Sequence, residues 1–165
     1  MWFALDDFGH HQLACTRSGW LKCRATGIEL SWLQVCLEAG ASARHRPLLR
    51  NLAIRNIPDD DLRQLDIVAG GLPIYGGHTV LIDITLRSPV AGDGSIRFRS
   101  DVVDGATFAQ ARRDKLSAYP ELAEEDPRRI FLVLACEIGG RMSVECHELL
   151  RQLLREKIHN IPSAL

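Results

Sequence analysis

The chain reads as a single α/β domain with an αβββαβ core, a mixed central sheet and a C-terminal helix. Three observations predict it. Residues 130–136, Ile-Phe-Leu-Val-Leu-Ala-Cys, form a continuous apolar run of the kind a strand shows when both of its faces are buried. Two more strand-like runs, 64–69 and 78–86, flank a glycine-rich connection, 70–77, suited to joining neighbouring strands. Helical periods lie before, between and after these runs. That alternation suits one mixed sheet covered by helices.

The elements follow in order. Residues 1–28 show no clear period and hold His10, His11, Cys15 and Cys23. A helix is predicted over 29–39, with Leu30, Leu33, Val35, Cys36 and Leu37 as its apolar side and Gly40 as its stop. A short strand is predicted over 44–52, and Pro58-Asp59-Asp60-Asp61 is a turn. The strands at 64–69 and 78–86 come next. Residues 88–100, with Pro89, Gly92 and Gly94, read as a polar loop. A helix is predicted over 104–119, with Pro120 ending it. After the strand at 130–136, Gly139-Gly140 turns the chain. The last helix spans 143–158, with Ser143 as N-cap, Glu145 in the first turn, and Val144, Leu149, Leu150, Leu153 and Leu154 as its apolar stripe.

Composition narrows the function classes. The 165 residues suffice for one domain with a real core. Hydrophobic content of 46% and charged content of 25% are those of an ordinary globular protein. No apolar run is long enough to span a bilayer, and no secretory signal opens the chain. The five cysteines therefore read as reduced thiols, and the expected compartment is nuclear or cytoplasmic, not secreted. A net charge of −1 is low for a domain that binds nucleic acid by itself. All but three of the 20 Lys and Arg residues are arginine, which suits phosphate contact and equally fits a GC-rich genome.

Two aspartates stand out. Asp66 and Asp83 interrupt the two runs 64–69 and 78–86, and a carboxylate inside an apolar strand is costly unless paired or metal-bound. If these strands pair through the glycine-rich connection, the two carboxylates lie close together and repel. A divalent cation would relieve that repulsion, and hard oxygen ligands select Mg²⁺ or Mn²⁺. Lys115 strengthens the reading. On a helical wheel it falls within the apolar arc of Phe108, Ala109, Ala111, Leu116 and Tyr119, so it faces the sheet and needs an anionic partner there. Tyr119 lies one turn on and can reach the same site. Each residue also has a structural alternative. Asp66 could pair with Arg63 or cap a turn, Asp83 could sit on a backbone amide, and Lys115 could extend its ammonium to solvent.

Arg63-Gln64-Leu65-Asp66, Asp83-Ile84-Thr85 and Lys115-Leu116-Ser117-Ala118-Tyr119 together resemble the restriction-enzyme-like, PD-(D/E)XK endonuclease domain of non-LTR retrotransposon reverse-transcriptase polyproteins. The likeness runs from about Glu29 to Cys136. Longer phrases carry it too, among them Leu48-Leu49-Arg50-Asn51-Leu52 and Asp83-Ile84-Thr85-Leu86-Arg87-Ser88-Pro89. The resemblance implies that Asp66 and Asp83 bind Mg²⁺ or Mn²⁺, that Lys115 positions water or phosphate, and that Tyr119 supports it. In such sites an acid from the first helix sometimes joins, and Glu29 or Glu38 could do so here. Two departures stand against it: Leu65 replaces the usual proline, and Thr85 stands where the simple spacing would put the lysine.

Arg97, Arg99 and Arg112 are the candidate contacts to DNA, the implied partner, with ordinary solvated or acid-paired charge as the alternative. Gly9-His10-His11-Gln12-Leu13-Ala14-Cys15 resembles half of the zinc knuckle that precedes such domains. Zinc takes four ligands, so Zn²⁺ is not expected at the incomplete His11/Cys15 pair. Residues 1–28 are then a knuckle remnant and 29–160 the nuclease-like domain. A fragment of a longer polyprotein, with a reverse-transcriptase domain upstream, is the implied context. The expected function is a metal-dependent DNA-nicking domain. The alternative is a catalytically inactive nuclease fold that binds DNA or protein.

Overall fold

Alternation along one strand organises the molecule. In β3, Thr79–Arg87, Val80, Ile82 and Ile84 face one way, while Leu81, Asp83, Thr85 and Arg87 face the other. Each set meets its own layer of helices. A computed structural model describes residues 20–160 apart from 92 and 125. Its helix α1 spans Trp20–Glu38 and is followed by β1, Ser42–His45, and a 3₁₀ turn at Leu49–Asn51. Next come β2, Ile67–Gly70, a second 3₁₀ turn at Ile74–Gly77, and β3. Helix α2, Ala106–Ala118, and the short α3, Pro120–Ala123, lead to β4, Arg129–Glu137, and α4, Val144–His159.

The four strands form one mixed sheet in the order β1-β2-β3-β4. The first two pairings are antiparallel and β3–β4 is parallel. This is the α/β architecture with a mixed sheet that the sequence predicts. On the first face, Ile67, Ala69, Val80, Ile82, Ile84, Leu132 and Leu134 pack with Trp32 and Cys36 of α1 and with Cys146, Leu149 and Leu153 of α4. On the second, Val68 and Leu81 pack with Leu49, Leu65, Tyr119 and Leu122, and Phe131 adds to that cluster.

Several boundaries differ from the sequence reading. Helix α1 is already helical at Trp20, nine residues before its predicted start, and its buried face is turned from the leucine stripe. Leu30 and Leu37 are 49% and 45% exposed, while Glu29, Trp32, Cys36 and Ala39 are buried at helical spacing. An acid, a tryptophan and a cysteine on that face broke the leucine-based pattern. Gly40 does end the helix, at φ +93°, where a side chain would be strained.

The predicted strand at 44–52 is instead β1, ending at His45. Arg46 takes φ +50°, Pro47 follows without an N–H, and the chain leaves the ladder. Strand β2 is also shorter than predicted. Gln64 makes a lone bridge to Leu48, and Asp66 sits in a bend immediately before β2. Pro120 does not simply end a helix but opens α3 at its first position, where its missing N–H costs nothing. In α4 the predicted stripe is partly solvated, since Val144 is 79% and Leu154 47% exposed. Cys146 joins Leu149 and Leu153 inside. Ser143 occupies the N-cap position, but its hydroxyl meets the Cys146 thiol in place of a backbone amide. The knuckle residues His11 and Cys15 lie outside the described residues.

Candidate functional site

The antiparallel register of β2 and β3 sets Ile67 opposite Ile82. One step outward along the same register brings Asp66 beside Asp83, on the second face of the sheet. The predicted meeting of the two carboxylates follows from strand alternation and from the length of the 70–77 connection.

Asp83 is 2% exposed. Its Oδ1 accepts a 2.6 Å bond from Lys115 Nζ, donated from the last turn of α2. Its Oδ2 is buried with no hydrogen-bond partner. Lys115 thus faces the sheet as its place in the apolar arc required, its ammonium on Asp83 and its side chain a quarter exposed. Asp66 Oδ2 accepts the backbone N–H of Ile84 at 2.6 Å. The amide alternative considered for Asp83 is realised at Asp66 instead. Arg63 does not pair with Asp66. It binds Asp61 at 2.7 Å and Glu121 at 2.6 Å, and donates to the Ala118 carbonyl at 2.7 Å.

Burial pushes the Asp66 carboxyl up to about 7, against the lowering effect of the Ile84 amide. The negative charges of Asp83 and Glu29 push it the same way as burial. The pair is therefore short of positive charge even with Lys115 present. Tyr119 donates its hydroxyl to the Gln64 carbonyl at 3.0 Å, which pins the segment leading into Asp66. Its ring meets Phe131 edge-on at 5.9 Å and lies beneath the Arg63 guanidinium at 5.8 Å. Burial, and after it the nearby charge of Asp83, raise the Tyr119 hydroxyl above its ordinary range.

Of the two acids on α1, Glu29 is the one beside the site. It is 7% exposed and accepts from Arg46 Nη2 at 2.8 Å and Nε at 3.1 Å. Glu38 is exposed and pairs with Lys157 on α4. Glu29 is held by Arg46. Among the described residues, no three His, Cys, Asp or Glu side chains form a group able to hold a metal ion. Arg46 and the Gln64 carbonyl are supporting groups that sequence reasoning missed, and Arg63, read as a neighbour of Asp66, acts through other partners. A basic residue just before the Asp66 segment was the visible signal for Arg63. Nothing marked Arg46, whose role depends on its left-handed backbone.

The three candidate DNA contacts do not converge. Arg112 pairs with Glu145 of α4 at 3.1 Å and lines a cleft beside α3. Arg97 and Arg99 line a different cleft, beside α2, and Arg97 also holds the Ser88 carbonyl at 2.9 Å. Among the described residues, no helix is long and apolar enough to cross a membrane. Comparison with protein-family models gives no match, and no curated protein matches the sequence.

Proposed function

We propose that the chain is a metal-dependent DNA endonuclease domain of the restriction-enzyme-like, PD-(D/E)XK type resembling those of non-LTR retrotransposons, and that it nicks DNA by hydrolysing a phosphodiester. One observation carries the reading: the Lys115 ammonium lies 2.6 Å from Asp83, beside Asp66, on the helix that follows the third strand. The element order, with three antiparallel strands and a parallel fourth, supports it.

Asp66 and Asp83 would hold Mg²⁺ or Mn²⁺. Their chemistry fits such a cation: Asp83 Oδ2 is buried without a partner, and the charged form of Asp66 is disfavoured where it stands. The chemistry supplied by a bound cation is neutralisation of charge on the phosphoryl oxygens and a lowered pKa for water. The chain's own residues do the rest. Lys115 lies beside Asp83 and can donate to a phosphate oxygen or orient the attacking water. Tyr119, bonded to the Gln64 carbonyl, and Arg63, stacked on its ring, hold the segment that leads into Asp66.

The test is supercoiled plasmid with Mg²⁺ or Mn²⁺, an EDTA control, and Asp83→Asn with its melt recorded. Wild type should nick and the folded variant should not. A variant that nicks as fast as wild type sinks the proposal. A second reading, an inactive nuclease fold that binds DNA or protein, is favoured by one observation: Asp83 is already ion-paired and Glu29 is tied to Arg46, so two carboxylates stand without a third. It predicts no heat of Mg²⁺ or Mn²⁺ binding by calorimetry.

A further inference from the structure

The loop between β3 and α2 carries Ile96-Arg97-Phe98-Arg99, a sequence alternating apolar and basic. Phe98 is 86% exposed, the most solvated of the large apolar side chains described. Between this loop and α2 lies a cleft of about 610 Å³. Its wall holds four arginines, Arg87, Arg97, Arg99 and Arg113, against a single acid, Asp114.

That acid does not neutralise the set. Asp114 is taken by Arg87 Nη2 at 2.7 Å, and Arg87 Nε remains buried with no hydrogen-bond partner. Of the loop's own acids, Asp104 is paired with Arg141, Asp93 accepts from Ser95 and faces Arg97, and Asp101 is exposed two residues from Arg99. Arg99 holds φ +61°, a left-handed backbone that costs a non-glycine residue about 1 kcal/mol or more. A solvated phenylalanine, a strained arginine and an excess of arginine over acid in the cleft wall share one rim.

The cleft is also placed to serve the carboxylate site. Arg87 shares the face of β3 that carries Asp83, four residues away and hence about 13 Å along the strand. A stacked strand of nucleic acid rises about 3.4 Å per nucleotide, so the interval is about four nucleotides. Asp114 adjoins Lys115 on α2.

We infer that this cleft binds the phosphates of a single nucleic-acid strand, with Phe98 stacking on an unpaired base. Arginine suits phosphate oxygens, and an aromatic ring accepts any base face. Identifying the bound strand as the one to be cut rests on the phosphodiester-cleaving reading above. The cleft itself does not need a metal.

Fluorescence anisotropy with labelled dT₂₀ in EDTA tests it, using Phe98→Ala and the double variant Arg99→Gln/Arg113→Gln. These side chains were chosen because Arg87 and Arg97 carry structural bonds; a thermal melt checks each variant. The double variant should weaken binding about tenfold and reduce the salt slope by about 1.4, for two lost phosphate contacts. Phe98→Ala should weaken binding at least fivefold with the slope unchanged. Heparin binding should fall with the arginines and not with Phe98. Wild-type affinity in both folded variants overturns the inference, as does a Phe98→Ala protein that binds dT₂₀ normally, which would leave a bare polyanion site. Plasmid nicking run alongside separates the two proposals. Nicking with unaltered oligonucleotide affinity overturns the cleft alone. Arginine- and Phe98-dependent binding without nicking upholds the cleft and removes the nuclease reading.

Discussion

The two faces of β3 differ by one residue of register and by everything else. Val80, Ile82 and Ile84 turn into a dry layer sealed by α1 and α4. Leu81, Asp83, Thr85 and Arg87 turn into a layer where carboxylates, a lysine and arginines meet under α2. On the first face each group is satisfied by contact alone. On the second, Asp83 Oδ2 and Arg87 Nε are buried without partners. A buried polar atom left unpaired costs about 1–3 kcal/mol. The first face therefore supplies stability and the second uses some of it to hold charges in place.

Substitutions on the two faces should fail differently. Ile82→Ala, in the fully buried layer, should cost about 3 kcal/mol and lower Tm by about 10 °C, with or without Mg²⁺. Lys115→Ala should cost less, about 2 kcal/mol: it strands a buried carboxylate, but its own side chain is a quarter exposed. Mg²⁺ should restore part of that loss, because a cation can take the place of the ammonium; differential scanning calorimetry with and without the metal reads both. Equal Mg²⁺ insensitivity of the two variants would erase the distinction between the faces.

Asp66→Asn should move in the opposite direction. The native carboxyl titrates at about 7, whereas an unfolded aspartate titrates near 4. Between those values the folded chain holds a proton that the unfolded chain has lost. Stability from this group is therefore full below about pH 4, falls as pH rises to about 7, and is level above. The asparagine variant keeps an oxygen for the Ile84 amide and should be more stable than wild type by about 1 kcal/mol at pH 8. At pH 4 the difference should vanish. Denaturant melts at the two pH values check the sign. The smallest effect belongs to Arg112→Ala. Its pair with Glu145 is solvated, so the loss should stay under about 1 kcal/mol in the same melts.

What could be read from the sequence follows the same division. Strand β4 and the apolar part of β3 were legible because burial on both faces leaves an unbroken apolar run. Lys115 was legible because a lysine inside a helix's apolar arc contradicts its surroundings and so demands a partner. Asp66 and Asp83 were legible for the same reason. The face of α1 was not, because Glu29 belongs to the buried side and pattern reading assigns an acid to solvent. Nor was the cleft beside α2. Arg97 and Arg99 could be noted as basic, but their partnership with Arg87 and Arg113 depends on a loop folding back along α2. Arg63 was visible as a neighbour of Asp66, yet its partners come from Asp61 and from Glu121, 58 residues on. No local pattern encodes that distance.

The pairing of Asp83 with Lys115 has a consequence in time. Asp66 and Ile84 meet across 18 residues, within one hairpin, whereas Lys115 reaches Asp83 across 32 and only when α2 docks. Short loops close before long ones. During refolding, then, the two like charges meet before the cation that steadies them arrives. The hairpin must form against its own repulsion, and in metal-free buffer protons supply the relief at that moment. Stopped-flow refolding should quicken from pH 8 to pH 5 and lose that pH dependence in Asp66→Asn.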